Sequence, residues 1–255
     1  RVMAWLKTEV ALAIAQEQAG LIPEGTATKI EQSAKLENLD MLAMKEAFDK
    51  VGFPILPFVA QLNKACDPET ARWVHYGATT QDILDTGTVL QMRDALAWME
   101  PQLEAILSAL AQLAKKHRNT VMAGRTFQQQ AAPITFGYKA AIWLDELLRH
   151  QERLVQLKER LLVGQCSGAV GTFATLGHQG LEVQKRMFAH LGLKMPAISW
   201  HVARDSWAEM VTWLATTAAT LAKIANEIAI EPNRTKTKTI RCFIITNGLF
   251  TPRIY

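Results

Sequence analysis

Apolar residues recur along this chain at helical spacing, and glycine or proline cuts the pattern into segments. Val2, Trp5, Leu6, Val10, Leu12 and Ile14, set among Lys7, Glu9 and Glu17, give one apolar helical face over residues 2–19, which Gly20 ends. Shorter helices are predicted near 26–36, 39–50 and 56–65, with Gly52, Pro54, Pro57 and the Asp67-Pro68 turn between or beside them. A helix beginning near Asp82 should run through Met92 and Leu96, then bend or restart at Pro101. Leu103, Ile106, Leu107, Leu110 and Leu113 carry its stripe on toward His117. Residues 138–163 contain neither Gly nor Pro and read as one long helix, with Ile142, Leu144, Leu147, Leu148 and Leu154 for packing. A helix near 181–191 precedes another at 207–230, where Ser206 and Glu209 match a capping box. Three long helices and almost no alternating strand pattern predict an all-α chain.

Two polar, glycine-punctuated stretches break this helical pattern. GRTFQQQAAPITFG, Gly124 to Gly137, places Arg125, Thr126, Gln128, Gln129 and Gln130 ahead of Pro133 between two long helical segments. It reads either as a hydrated interhelical loop or as a set of donors and acceptors facing a ligand. HYGATTQDILDTG, His75 to Gly87, offers a tight turn at Gly77, hydroxyls at Thr79 and Thr80, and Asp82 to cap the following helix. Such a helix start suits a carboxylate ligand and equally an ordinary capped terminus. A third stretch, Gly164 to Gly180, is rich in glycine and small residues and requires a loop or a close backbone approach.

Charge and cysteine usage narrow the function classes. The formal net charge is +4, and the tail from Glu231 onward carries all of it: Arg234, Lys236, Lys238, Arg241 and Arg253 face Glu231 alone. Residues 1–230 are therefore neutral, and nucleic-acid binding has no support in the body of the chain. The tail lacks a helical period and contains a β-like run, Ile240 to Thr246. No stretch approaches the ~20 apolar residues that span a bilayer, and the first residues lack a secretory cleavage pattern. Cys66, Cys166 and Cys242 are odd in number and widely spaced, so neither a disulfide framework nor a metal site is indicated. A soluble, cytoplasmic protein is the expectation.

HYGATTQDILDT and GRTFQQQAAPITFG, in this order and separated by long helices, resemble the first two signatures of the fumarase/aspartase superfamily. The resemblance covers roughly residues 1–230. Within the superfamily the chain looks most like the 3-carboxy-cis,cis-muconate cycloisomerases, with the adenylosuccinate lyases as nearest competitor. Val51-Gly52-Phe53-Pro54-Ile55 stands where those lyases carry an Arg-His-Asp-Val segment, and Phe127 and Gln130 stand where they carry histidines. Trp200-His201 ahead of Arg204-Asp205 is similar to the cycloisomerases, whereas the lyases usually have glutamine at the position of Trp200.

The resemblance implies a long-helix bundle at residues 99–230, incomplete at its C-terminal end, with a smaller helical domain at 1–98 and an atypical basic tail at 231–255. It further implies a homotetramer, and reversible addition of a carboxylate across a double bond of a small polycarboxylate in aromatic-compound catabolism. That reaction uses no cofactor and no metal; the alternatives are a β-eliminating lyase releasing fumarate and a non-catalytic helical assembly module. Implied catalytic residues are His75, His201 and Gln130, each histidine being either an acid/base group or a buried structural imidazole. Implied substrate-binding residues are Thr79, Thr80, Arg125, Thr126, Gln129 and Arg204. Arg125 suits a bidentate carboxylate pair or a structural ion pair, and Thr79, Thr80, Thr126 and Gln129 suit either developing negative charge or loop capping. A third signature, a Gly-Ser-Ser-x-Met-Pro loop bearing the catalytic serine, is implied beyond residue 230, yet no serine follows Ser206. Little or no turnover by this polypeptide alone is the expectation, together with uncovered apolar faces on its long helices.

Overall fold

The computed structural model describes residues 1–127 and 129–234. The basic tail beyond Arg234, with its β-like run at 240–246, and Gln128 lie outside the described residues, while residues 231–234 continue the last described helix. Among those described, the elements are α1 (Val2–Gln18), α2 (Thr26–Ser33), α3 (Met41–Val51), α4 (Ile55–Ala65), α5 (Pro68–Ala71), α6 (Thr80–Lys116), β1 (Val121–Thr126), β2 (Gln129–Thr135), α7 (Phe136–Leu161), α8 (Gly180–Leu191) and α9 (Asp205–Arg234). They fall into two compact units. The first holds Arg1–Leu96 with Glu159–Asp205, and the second holds Ala97–Lys158 with the residues from Ser206 onward.

In the first unit, α1 is enclosed on most sides rather than amphipathic with a single apolar face. Ala4, Ala11, Leu12 and Ala15 pack with Val89, Leu90, Val183, Met187 and Phe188, while Trp5, Leu6 and Ala13 pack with Ile30, Ile55, Phe58, Leu62 and Ile83. Small alanines on the first side let a neighbouring helix approach closely, and larger side chains fill the second. Each buried aliphatic or aromatic side chain here contributes about 1.5–3 kcal/mol of apolar burial. Three polar residues ride inside this helix. Thr8 satisfies its hydroxyl on the Ala4 carbonyl at 2.8 Å, Gln16 donates to the Tyr76 carbonyl at 2.6 Å, and Glu9 turns toward His75.

Short polar signals place the smaller helices. Asp40 caps α3 by accepting from Leu42 and Ala43 N–H, and Gly52 closes it with a positive φ of 84°. Asp67 caps α5 in the same way ahead of Pro68. Pro101 does not interrupt α6: the helix is continuous from Thr80 to Lys116. The missing N–H of Pro101 deprives one carbonyl four residues earlier, a defect that a 37-residue helix tolerates when its other bonds remain.

The second unit is built on α7, α9 and the later turns of α6. Leu103, Leu107 and Leu110 of α6 meet Phe136, Trp143 and Leu147 of α7 and Ile224 of α9. Polar pairs align α7 with α9: Thr220 Oγ1 lies 2.9 Å from His150 Nε2, Trp213 donates to the His150 carbonyl at 2.9 Å, and Lys139–Glu227 and Lys223–Glu146 are ion pairs. Helix α9 begins at Asp205, so Ser206 sits inside its first turn rather than capping it. Ile142, Leu148, Val155 and Val211 remain exposed on these helices.

The stretch from Gly124 to Gly137 is mostly a β-hairpin, not a loop. Strands β1 and β2 pair antiparallel from Val121–Thr135 to Thr126–Gln129, with a register irregularity between Ala123 and Arg125. Gly124 sits at that irregularity, where a Cβ would lie 2.6 Å from the Ala132 carbonyl oxygen. Apart from an isolated bridge between Val163 and Lys194, the other regular elements among the described residues are helices, as the hydrophobic periodicity predicts.

Candidate functional site

Asp82 is the centre on which the first unit's polar residues converge. It occupies the third position of α6 and its Oδ2 accepts from the Thr79 N–H at 3.0 Å, which is half of a capping box with Thr79 as the cap. The same carboxylate, with a side chain 0% exposed, accepts from Ser167 N–H at 3.1 Å and Gly168 N–H at 2.9 Å. A single buried acid thus ends a helix and folds the glycine-rich loop onto it. Three backbone donors supply the charge-assisted bonds that a desolvated carboxylate needs.

His201 completes the ring around Asp82. Its Nε2 lies 2.8 Å from Asp82 Oδ1, and its side chain is 15% exposed. The segment bearing it is drawn in by backbone pairing of Lys194 with Leu162 and Gly164, and by Trp200, whose indole N–H donates to the Gly164 carbonyl at 2.9 Å. Gln165 ties the two segments together. Its N–H and carbonyl exchange bonds with Thr86 Oγ1, at 2.9 and 2.6 Å, and its Oε1 accepts from the Trp200 N–H at 2.8 Å. Its Nε2 lies 2.6 Å from Ser167 Oγ, 3.3 Å from Ser199 Oγ and 3.0 Å from His201 Nε2.

His75 lies on the chain just before Thr79 and is held by Glu9 of α1. Nδ1 is 2.6 Å from Glu9 Oε1, and the His75 backbone N–H donates to Oε2 at 3.1 Å. Its φ of 60° is an uncommon backbone state for a side chain of this size, maintained by those two contacts. Burial pushes its imidazole pKa down, but the hydrogen bond and charge of Glu9, with the charge of Asp82 behind them, outweigh it and leave the pKa raised.

Arg204 sends Nη1 to Asp85 Oδ1 at 2.9 Å and Nη2 to the His201 carbonyl, with its guanidinium carbon 5.6 Å from the Trp200 ring centroid. Asp85 is 1% exposed, and among the described residues its Oδ2 has no hydrogen-bond partner. Burial raises its pKa against the lowering effects of Arg204 and Gln81.

Among the residues singled out from the sequence, His75, Thr79, Thr80, His201 and Arg204 therefore share the first unit. Thr79 and Thr80 stand half-buried at the start of α6. Arg125, Thr126, Gln129 and Gln130 belong to the hairpin of the second unit, where Arg125 faces Gln130 and Thr126 faces Gln129 across the strands. Thr126, Gln129 and Gln130 are exposed, and Phe127 at the turn is 99% exposed with a φ of 47°. Glu9, Gln165 and Ser199 join the site without any motif to mark them, and Asp85, inside HYGATTQDILDT, joins it without having been singled out. Their signal in the sequence is polarity in a segment otherwise destined for burial: Glu9 in an apolar helix, and Gln165 between Gly164 and Cys166. Among the described residues, no group of three His, Cys, Asp or Glu side chains is arranged to hold a metal ion, and no helix is long and apolar enough to cross a membrane.

A family model described as lyase matches residues 4–233. The chain belongs to this fumarase/aspartase lyase family. It is 44% identical over 227 residues to the N-acetyl-S-(2-succino)cysteine lyase of Enterococcus italicus, covering 89% of this chain and 50% of that one. With the adenylosuccinate lyase of Pyrococcus abyssi the identity is 43%, over 88% of this chain and 50% of that one. The structure resembles the 3-carboxy-cis,cis-muconate lactonizing enzyme from Pseudomonas putida with a TM-score of 0.88 at 39% identity, over 90% of this chain and 53% of that one. The chain spans about half the length of the curated relatives it matches.

Proposed function

We propose that this chain forms the substrate-recognition half of a cycloisomerase acting on a 3-carboxymuconate-type tricarboxylate, adding one carboxylate reversibly across a carbon–carbon double bond. The observation that carries the reading is the hairpin turn: exposed Phe127 and Gln130 stand where an adenylosuccinate-type lyase, by resemblance, has histidines. Lactonisation is redox-neutral. It requires anchoring of spectator carboxylates, stabilisation of charge beside one of them, and one proton transfer. In this proposal Arg125, Thr126 and Gln129 recognise carboxylates, Thr79 and Thr80 donate at the start of α6, and Gln130 contributes at the hairpin. His75 and His201 supply acid/base function, and Arg204 anchors the His201 segment as well as adding positive charge. The active form is proposed to be a homotetramer in the cytoplasm, which the exposed apolar residues of α7 and α9 support.

Absorbance of 3-carboxymuconate, followed beside fumarate release from adenylosuccinate and from a succinyl-cysteine thioether, tests the reaction. Little turnover is expected of this polypeptide alone, and what there is should consume the muconate chromophore without forming fumarate. Amide hydrogen exchange of the hairpin gives the same discrimination without turnover, since 3-carboxymuconate should protect residues 125–130 and adenylosuccinate should not. Fumarate release would instead favour a second reading, β-elimination from a succinyl thioether, which the 44% identity with the succinocysteine lyase supports.

A further inference from the structure

We infer that Gln165 and Ser199 are positioning residues that hold His201 as its Nε2–H tautomer, with Nδ1 left as the basic nitrogen of the site. This deepens the reading of His201 as an acid/base group and rests on it for its functional meaning, though not for its test.

The Gln165 amide has a fixed orientation. Its Oε1 accepts from the Trp200 backbone N–H at 2.8 Å, so a flip would set an NH2 against an N–H. The amide nitrogen is therefore directed inward, where Ser167 Oγ at 2.6 Å and Ser199 Oγ at 3.3 Å accept its hydrogens, with Asp82 Oδ1 at 3.4 Å as a longer third acceptor. Ser167, having accepted, donates to Ser199 Oγ at 3.0 Å. The Ser199 hydroxyl hydrogen is left for His201 Nδ1, 3.4 Å away. The chain then runs from Gln165 to Ser167 to Ser199 to His201 Nδ1.

The other ring nitrogen decides between tautomers. Nε2 lies 2.8 Å from Asp82 Oδ1 and 3.0 Å from Gln165 Nε2. An unprotonated Nε2 would accept from Gln165 but would turn its lone pair on a buried carboxylate that already accepts three backbone N–H bonds. A protonated Nε2 instead makes a charge-assisted bond to Asp82, roughly twice as strong as a neutral one, and Gln165 keeps both hydrogens on the serines. The second arrangement sets two donor nitrogens 3.0 Å apart but turns the Gln165 hydrogens to the serines, whereas the first sets a ring lone pair 2.8 Å from a buried carboxylate that has no proton to give; the charge-assisted bond to Asp82 decides for the second. Besides Asp82, the charged groups around His201 are Asp85 of α6 and Arg204, whose guanidinium donates to the His201 carbonyl.

The experiment is a long-range 15N–1H correlation spectrum of the full chain labelled at histidine, with His201→Asn assigning the ring. A pyrrole-type Nε2 and a pyridine-type Nδ1 are expected at neutral pH; the opposite pattern would overturn the assignment. Ser199→Ala should move Nδ1 downfield toward a free pyridine nitrogen while Nε2 stays protonated, and an unmoved Nδ1 would remove Ser199 from the account. Gln165→Glu places a second carboxylate at Nε2 and reverses the chain. The Ser199 hydroxyl then turns from the ring to the new carboxylate, and Nδ1 should move downfield as it does in Ser199→Ala while Nε2 stays protonated. An Nδ1 unmoved in Gln165→Glu would sink the role of Gln165. The ring signals of His75 and the thermal unfolding midpoint report whether each variant keeps its fold. Because no substrate is present, failure of the lactonisation reading leaves these outcomes untouched.

Discussion

Glu9 grips His75 twice, once at the ring and once at the backbone, across 66 residues of chain. The Glu9 side chain is 1% exposed and that of His75 20% exposed, so removing one partner strands the other in a desolvated place. Glu9→Ala is expected to cost about 3–5 kcal/mol in urea unfolding, and Glu9→Gln, which preserves a hydrogen bond to the backbone, less. His75 binds its proton more tightly folded than unfolded. Its contribution to stability is accordingly full below about pH 6.5 and is lost as pH rises through the folded value. In Glu9→Gln the ring should titrate at lower pH and that loss should shrink; an unchanged ring titration would show that Glu9 does not control it.

Asp82 and Asp85 lie three residues apart on α6, both buried, and should answer amide substitution in opposite ways. Asp82→Asn puts an NH2 among three backbone donors and His201, and about 3–5 kcal/mol of stability should go with it. Hydrogen exchange at Ser167 and Gly168 should accelerate in the same variant. Asp85 leaves one oxygen unpartnered, and burial raises its pKa. The unfolded chain thus gives up this proton first, and stability falls as pH rises from about 4 through the folded value. Asp85→Asn should remove that fall and change stability at neutral pH by no more than about 1 kcal/mol. Equal losses from the two substitutions would contradict this account.

Both signature stretches contain a glycine that has a steric reason to be there. At Gly77, φ is 71° and an added Cβ would meet Leu176 Cδ2 at 2.4 Å. Gly77→Ala combines left-handed backbone strain with overpacking and should cost about 2–4 kcal/mol. At Gly124 the obstacle is backbone, the Ala132 carbonyl oxygen at 2.6 Å, so β2 itself must shift. Gly124→Ala should speed exchange of the β1–β2 amides while leaving α1 protected. Wild-type exchange throughout the hairpin would argue against so close an approach of the two strands.

The long helices were legible because their apolar residues repeat at the period that burial on a helix imposes. The hairpin was not. Its strands, VMAGRT and QQAAPIT, are mostly exposed or half-buried and so lack the alternation that a one-sided core would write into them. Helix α1 misled in the other direction: its apolar residues fit one face, but alanines at 4, 11 and 15 pack on the other. In the site, His75 and Asp82 stood out beside glycines and hydroxyls, and His201 through the resemblance of its Trp200–Asp205 segment. Their partners did not, because Glu9 meets His75 across 66 residues of chain and Gln165 sits 36 residues before His201. Such pairings are decided by packing of whole helices, not by any local pattern.

His150 should show the pH dependence opposite to that of His75. It is 4% exposed on α7, its Nε2 lies against Thr220 Oγ1, and its Nδ1 has no hydrogen-bond partner among the described residues. Burial pushes its pKa down, with the nearby charge of Arg153 acting in the same direction and Glu146 opposing. The unfolded chain therefore takes up a proton near pH 6.5 that the folded chain refuses, and stability is lost as pH falls from there through the folded value. His150→Phe keeps the backbone carbonyl that Trp213 uses and removes the titrating group. Urea unfolding of this variant between about pH 5 and 7 should show a flatter acid limb than the unmodified chain, while the alkaline limb set by His75 stays. If His150→Phe leaves the acid limb as steep as before, the loss belongs to other groups and the imidazole is not held neutral by its burial.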